Sequence, residues 1–263
     1  MDTLTHFEVT KRATTMRSLQ VALKVLEYIG QLQPIGVSEL ARRLDLPKST
    51  VQRSLKSLAE AGWIEVLNSS KSEWSLTLKA GLAVGRADYS VRPLRLAAVP
   101  VMEDLRQRTN ESVYLAVRLK FKIALVERLD GINPVVHAWS IWQGGPMHPT
   151  SLGKAVLANM RDDEIETYLA RPLVSVTDHT ETDPDKLREE LKLTRERGYS
   201  TAFRTNWPNE NGVGAVIRDR RGEPTASIAI SAPAERVSEA KCIELSGHVM
   251  DAARRISLGL ARS

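Results

Sequence analysis

Cysteine is almost absent from this 263-residue sequence, which contains only Cys242. A lone cysteine excludes an internal disulfide and any metal site built from several cysteines, and it fits a reducing cytoplasm. We therefore expect a cytoplasmic protein. Cys242 falls within a predicted helix, so we expect it to pack as a small apolar side chain rather than to react as a nucleophile.

Long hydrophobic runs are also missing. No stretch approaches the roughly 18 apolar residues that a membrane-spanning helix needs, so we expect no membrane partner. Residues 1–15 lack the apolar centre of a signal peptide and are predicted to form a flexible polar arm. The net charge of +5 favours an anionic partner.

Three kinds of catalytic or cofactor site are incomplete. The five histidines show neither the spacing nor the carboxylate neighbours of a zinc site. Ser151-Leu-Gly-Lys154 has the S-x-x-K spacing of penicillin-binding enzymes, but their S-D-N and K-T-G segments do not occur. Gly212-Val-Gly214 lacks the third glycine of a dinucleotide-binding loop. We therefore expect no enzyme activity, no cofactor and no metal.

A helix-turn-helix with a wing behind it is the clearest pattern that is present. Ser38 is a suitable N-cap for a short helix over residues 39–44. Pro47 suits the first turn of a second helix, predicted over residues 48–61. Gly62 can adopt the left-handed conformation that ends such a helix. Two helices at a tight turn, followed by a hairpin, are typical of a winged helix-turn-helix, whose second helix fits the major groove.

The second helix of this motif has two distinct faces. Val51, Leu55 and Leu58 recur at the spacing of a buried stripe. The other face carries only polar side chains able to hydrogen-bond to phosphates or base edges, namely Ser49, Gln52, Arg53 and Lys56. Strands predicted at residues 63–67 and 73–78, with a polar turn between them, form the wing.

Basic side chains are concentrated in this motif. Residues 41–56 contain five basic side chains against one acid, Asp45, and neutralising phosphates requires such a local surplus. The predicted major-groove contacts are Lys48, Ser49, Thr50, Gln52 and Arg53. The predicted phosphate contacts are Arg42, Lys56 and the wing residues Ser70 and Lys71. The alternative is a small-molecule enzyme or sensor whose N-terminal winged helix binds protein rather than DNA.

The rest of the sequence predicts an α+β domain with antiparallel strands and with helices on one side of the sheet. Apolar stripes place Leu19 and Leu23 of the first helix, and Ile243 of the last, in the core. Pro100 is expected to kink a helix over residues 92–108 or to start a new one. The predicted strands cover residues 112–119, 122–129, 135–141, 212–218 and 225–231. The predicted helices cover residues 151–160, 162–169, 183–197 and 238–260.

Four segments resemble the IclR family of bacterial transcriptional regulators. They are LPKSTVQRSL (46–55), TNESVYLA (109–116), MHPTSLGKA (147–155) and GEPTASIAISAP (222–233). The resemblance extends over nearly all of residues 16–260. It implies a C-terminal GAF-like effector-binding domain, dimers joined through the N-terminal domain, often tetramers, and a pocket for a small, often carboxylic, metabolite. The family's pocket positions correspond here to Gly145, Ser151, Leu152, Gly212 and Ser231.

These observations together predict four segments. Residues 1–15 form the flexible arm, 16–80 the winged helix-turn-helix DNA-binding domain, 81–95 a helical linker and 96–263 the effector-binding domain. The resulting function is a ligand-responsive transcriptional regulator that binds double-stranded operator DNA as a homodimer or homotetramer.

The third segment also indicates an anion site on physical grounds. A loop leads into a helix at Thr150-Ser151, where the first N–H groups lack internal acceptors and the helix dipole adds positive potential. The alternative is an ordinary N-cap. Where family members often carry carboxylates this sequence has Phe203 and Arg204, which argues against a ligand that needs an acidic acceptor. We expect a small organic acid. An aromatic or a more acidic one is an option, with Phe203, Trp207, Trp139 or Trp142 against a ring, unless these aromatic residues only fill the core or the dimer contact.

Overall fold

The computed structural model describes residues 16–68, 72–85, 88–132, 139, 141 and 144–262. The chain divides into two compact units, Met1–Tyr89 and Ser90–Ser263. Among the described residues, every helix is too short or too polar to cross a bilayer.

The first unit is a winged helix-turn-helix. Its elements are α1 (Arg17–Leu32), β1 (Ile35–Gly36), α2 (Val37–Leu44), α3 (Lys48–Glu60), β2 (Ile64–Asn68), β3 (Glu73–Leu76) and α4 (Leu78–Gly85). The three strands form an antiparallel sheet in the order β1-β3-β2. Apolar side chains from α1, α2, α3 and β2 pack into one core, which includes Ile29, Leu40, Leu55 and Ile64.

Two details of this unit differ from the sequence predictions. Gly36, not Ser38, is the N-cap of α2, and no side chain caps that helix. The reason is that Gly36 pairs with Glu73 in the sheet, so the extended backbone continues up to Val37. Leu19 and Leu23 are 55% and 48% exposed. The buried face of α1 is instead centred on Ile29, about one third of the way around the helix.

The second unit is a six-stranded antiparallel sheet with helices on both faces. Its helices are α5 (Asp88–Thr109), α6 (Ser151–Leu157), α7 (Asp162–Leu169), α8 (Pro184–Arg197) and α9 (Glu239–Arg262). Its strands are β4 (Ser112–Leu119), β5 (Lys122–Leu129), β6 (Gly144–Pro146), β7 (Ser200–Phe203), β8 (Glu210–Arg218) and β9 (Pro224–Pro233), in the order β6-β5-β4-β9-β8-β7. The predicted α+β class is confirmed.

The expectation that helices lie on one side of this sheet is wrong. Alternate side chains of one strand enter two cores, as Val113 of β4 packs with α5 and α9 while Tyr114 packs with α6, α7 and α8. Both faces of the central strands are therefore buried. The cavity described below lies on the α6 face.

Several element boundaries also differ. Helix α5 continues through Pro93 and Pro100, both exposed, where solvent can bind the carbonyl groups that proline leaves unpaired. The predicted strand at residues 135–141 falls mostly outside the described residues, and β7 was not predicted. In α9, Ile243 is exposed and Cys242 is buried. This confirms the packing role predicted for Cys242, and burial raises the pKa of its thiol to about 12.

Candidate nucleic-acid interface and ligand pocket

Local backbone geometry sets the position of α3. Asp45 ends α2 in the left-handed conformation, and the Leu46 N–H donates to the Ala41 carbonyl at 3.0 Å, which closes a tight turn. Pro47 then occupies the N-cap of α3. At the other end Gly62 has a φ of +74°, as predicted, and the Trp63 N–H donates to the Leu58 carbonyl. Short turns at both ends therefore fix where α3 begins and ends.

The two faces of α3 are segregated as the sequence predicts. Val51, Leu55 and Leu58 are buried. The polar residues that remain exposed are Lys48, Ser49, Gln52, Arg53 and Lys56, while Thr50 is half-buried. The first unit therefore leaves a continuous polar surface on α3 open to a partner.

The basic side chains of α2 and α3 are not equally free to bind an anion. Glu39 accepts hydrogen bonds from Arg42 at 2.6 and 3.0 Å and from Arg43 at 2.6 Å, and these bonds lower its pKa to about 2. Lys48 and Arg53, by contrast, pair with no carboxylate among the described residues. The cations best placed for a polyanion are thus on α3. Ser70 and Lys71, predicted to contact phosphates, lie outside the described residues.

A cavity lies in the second unit between the start of α6 and the sheet. Its described lining comprises Tyr114, Trp139, Thr150, Ser151, Leu152, Ala202, Asn206, Trp207, Glu210, Gly212, Ala229 and Ser231. Aromatic rings and short polar side chains share this wall, as is usual for small-molecule sites.

The structure brings together four of the seven positions predicted for the effector, namely Ser151, Leu152, Gly212 and Ser231. Phe203 and Arg204 do not line the cavity. Since side chains alternate along a strand and Ala202 of β7 faces the cavity, Phe203 points to the opposite core. Arg204 is exposed.

Gly145 also lies outside the lining, but it borders one of the predicted aromatic residues. A Cβ added at Gly145 would lie 3.4 Å from the Trp139 ring, so the glycine leaves room for that side chain. Trp139 and Trp207 line the cavity. Trp142 lies outside the described residues.

Glycines allow α6 to approach the sheet closely. A Cβ at Gly153 would lie 2.2 Å from the Met147 carbonyl oxygen, and one at Gly214 would lie 2.9 Å from the Ser151 carbonyl oxygen. Thr150 is the N-cap of α6, and its Oγ1 accepts from the Gly153 N–H at 2.8 Å. Because its neighbours are backbone atoms, α6 has little freedom to move.

Glu210 is the cavity residue that sequence reasoning missed. Its Oε1 accepts a hydrogen bond from the Ser231 hydroxyl, while its Oε2 is buried and has no partner among the described residues. Burial raises the pKa of Glu210 to about 7. The cavity therefore contains a carboxyl group, although Phe203 and Arg204 replace the carboxylates that family members often carry. The available signal was the i, i+2 spacing to Gly212, which places both residues on one face of β8.

Lys154 of α6 contacts α8 and does not line the cavity. It is 2% exposed, and its Nζ lies 2.5 Å from Glu190 Oε1 on α8. Ser151 borders the cavity while Lys154 is engaged with Glu190, so the S-x-x-K spacing does not form a nucleophile and base pair. His148 is likewise structural, since its ring contacts the Tyr168 hydroxyl at 2.8 Å and the Val174 carbonyl at 3.0 Å.

Within the part of the chain that the structure describes, no group of three His, Cys, Asp or Glu side chains could hold a metal ion.

Comparison with known proteins gives consistent matches over both units. Residues 18–67 match the model of the IclR helix-turn-helix domain, and residues 87–258 match that of the bacterial transcriptional regulator IclR C-terminal domain. The chain is 30% identical to the HTH-type transcriptional regulator BhcR of Paracoccus denitrificans over 94% of this chain and 88% of BhcR. It is 28% identical to the transcriptional repressor IclR of Escherichia coli over 92% of this chain and 89% of that protein.

A solved structure is similar over the same extent. The crystal structure of an IclR homologue from Microbacterium hydrocarbonoxydans, complexed with 4-hydroxybenzoate, has a TM-score of 0.76 to this chain and 27% sequence identity. The match covers 94% of this chain and 100% of the other.

Proposed function

We propose that this chain, which belongs to the IclR family of bacterial transcriptional regulators, reads operator DNA with the polar face of α3 and binds a small organic acid in the cavity beside α6. Membership of the family makes the chain a ligand-responsive, DNA-binding regulator, and its relatives are regulators rather than enzymes. The observation that carries the residue assignment is the exposed face of α3, where Lys48 and Arg53 have no internal carboxylate partner among the described residues.

On this proposal, Arg53 and Gln52 contact base edges and neighbouring cations bind phosphates. Arginine and glutamine form the paired hydrogen bonds that distinguish guanine and adenine in the major groove. Lys48 lies at the first turn of α3, where its charge and the helix N-terminus both attract a phosphate. Arg42 would have to exchange its bonds to Glu39 for a phosphate. Operator binding also implies action in the cytoplasm.

Arg53→Ala is expected to weaken binding to the DNA upstream of the protein's own coding region by roughly 10- to 100-fold, corresponding to about 1–3 kcal/mol. A gel-shift titration at several salt concentrations measures this effect and the number of phosphates neutralised. Arg254→Ala, which removes an exposed arginine from α9, is the matched control and should leave binding unchanged. Equal binding by wild type and Arg53→Ala would contradict the assignment of the recognition face.

The cavity favours an aromatic monocarboxylic acid as effector. Tyr114, Trp139 and Trp207 offer flat apolar surfaces against which a single aromatic ring can pack. The 4-hydroxybenzoate complex of the Microbacterium homologue is in keeping with this class. Effector binding would then shift the balance between two arrangements of the paired DNA-binding domains, provided that it binds them unequally.

Ser151→Trp is expected to abolish thermal stabilisation by an effector because the indole would occupy the cavity. A ligand at 100 times its Kd adds about 2.7 kcal/mol, which raises Tm by roughly 5–10 °C for a unit of this size. Differential scanning fluorimetry with benzoate and 4-hydroxybenzoate measures the shift. Thr167→Trp, on the exposed face of α7, is the control and should retain it. A full shift in Ser151→Trp would place the effector elsewhere.

We also propose that the chain forms a homodimer through α1, with a tetramer as the larger assembly. Met16, Leu19 and Leu23 lie near one another on one side of α1 and are all exposed, although apolar stripes at this spacing usually pack against a partner. Sedimentation velocity tests this proposal, and a monomer at micromolar concentration would contradict it.

A further inference from the structure

The cavity contains an unusual set of ionisable groups for a site that receives an anion. Of the lining residues that the structure describes, none is a lysine, arginine or histidine, and Glu210 is the one carboxyl group. Its Oε1 accepts a hydrogen bond from the Ser231 hydroxyl, whereas its buried Oε2 has no partner within the described part of the chain. A buried carboxyl oxygen without a partner is costly, so a ligand that bonds to it gains specificity as well as affinity.

We propose that an aromatic monocarboxylate enters this cavity together with one proton, which is held in the hydrogen bond between the ligand carboxylate and Oε2 of Glu210. The inference rests on the proposed function, because it takes the effector to be a carboxylic acid bound beside Ser151. The proton comes from solvent and forms an O–H bond on Glu210, which then donates to the ligand. Glu210 is therefore a specificity-determining residue of the effector site.

Electrostatic repulsion favours uptake of this proton. Two ionised carboxylates in one cavity repel each other, and no described lining residue is a cation that could offset their charge, so binding is favoured when one of them is neutral. The pKa of Glu210 is already raised to about 7 by burial, so little free energy is needed to protonate it near neutral pH. The ligand and Glu210 then titrate as a coupled pair.

The described groups around Glu210 do not fix its protonation state, which therefore depends on the ligand. Tyr114 on β4 also lines the cavity, and its pKa is raised by burial and by the charge of Glu210. The charge of Arg128 lowers the pKa of Tyr114, and that of Asp130 raises it. From β9 the contact is the neutral Ser231. Arg204 bonds to the Glu210 backbone carbonyl through its N–H, and its side chain is exposed.

The affinity for a carboxylate ligand should fall as the pH rises through the pKa of Glu210. Below pH 7 Glu210 is mostly protonated in the free protein and the carboxylate binds at full affinity. Above pH 7 a proton must be taken up, so the affinity falls about tenfold for each pH unit. We expect the wild-type affinity for benzoate, a probe without a second titrating group, to fall roughly 30-fold between pH 6 and pH 8.5.

Isothermal titration calorimetry with the full-length protein tests the proposal. Glu210→Gln keeps a hydrogen-bond donor but cannot ionise, so its affinity for benzoate should be independent of pH and, at pH 8.5, roughly 30-fold higher than that of wild type. Buffers of different ionisation enthalpy should show uptake of nearly one proton by wild type at pH 8.5 and none by Glu210→Gln. Glu223→Gln, in the exposed turn before β9, should keep the wild-type profile. Benzamide, a neutral analogue, should not lose affinity as the pH rises.

The outcomes separate this inference from the proposed function. If wild type binds benzoate equally at pH 6 and 8.5, or if Glu210→Gln retains the wild-type fall, the proton link is overturned while the acid-binding cavity stands. If neither benzoate nor 4-hydroxybenzoate binds wild type at pH 6, the proposed effector class fails and this inference fails with it. An infrared titration of the Glu210 carboxyl, taken as the difference between wild type and Glu210→Gln, needs no ligand. Titration in the ordinary range of an exposed glutamate would overturn the inference by itself.

Discussion

Gly153→Ala is expected to lower the free energy of unfolding by about 3 kcal/mol and to remove the response to the effector. The added methyl group would lie 2.2 Å from the Met147 carbonyl oxygen and 2.4 Å from the Met147 Cα. These are backbone atoms of the segment that leads into α6, so no flexible side chain can rotate away. Helix α6 must therefore move, and with it Ser151 and Leu152 at the cavity wall.

Chemical unfolding followed by circular dichroism measures this loss, and Gly247→Ala is the matched control. Gly247 is an exposed residue within α9, and apart from the backbone of its own helix turn and its chain neighbours no described atom lies within 4 Å of the position that its Cβ would take. Because alanine favours a helix interior over glycine, this variant should gain about 0.5–1 kcal/mol. If both variants gained stability, the close seating of α6 described above would be incorrect.

Glu190→Gln is expected to destabilise the second unit by roughly 3–5 kcal/mol at pH 7. It leaves the Lys154 ammonium, which is almost fully buried, without its carboxylate partner at 2.5 Å. Burial already lowers the pKa of Lys154, and Glu190 opposes that effect. Without Glu190, the folded state must either bury an unpaired charge or release the proton.

The stability lost in Glu190→Gln should become smaller as the pH rises. A lysine whose pKa is lowered in the folded state binds fewer protons there than in the unfolded chain, so stability rises with pH up to the unfolded value near 10.4. The deficit of Glu190→Gln should therefore shrink between pH 7 and pH 9.5 in urea unfolding. Glu166→Gln, which breaks the exposed pair with Arg188, should cost less than about 1 kcal/mol.

A double variant separates the unpaired charge from simple loss of packing. Lys154→Met combined with Glu190→Gln removes both charges and keeps similar volumes, so it should recover most of the stability lost in Glu190→Gln. A double variant as unstable as Glu190→Gln alone would show that the unpaired charge is not the cause.

The sequence by itself determined the features that depend on neighbours along the chain. The two faces of α3 follow from helical periodicity, which separates Val51 and Leu55 from Gln52 and Arg53. The end of α3 at Gly62 follows from the freedom of glycine to adopt a positive φ. The family could be assigned from short motifs because each motif lies within one or two neighbouring helices or strands.

The tertiary structure alone decided which residues meet across the fold. Leu19 and Leu23 of α1 are exposed, whereas Ile29 is buried in the core. The apolar pattern of α1 could not separate them, because a stripe predicts burial but not the surface against which each residue packs. The strand register likewise turned Phe203 away from the cavity and brought Glu210 next to Ser231, which lies 21 positions later. Strand pairing joins residues that are distant in sequence, so the contact between Glu210 and Ser231 at the cavity wall followed only from the alignment of β8 with β9.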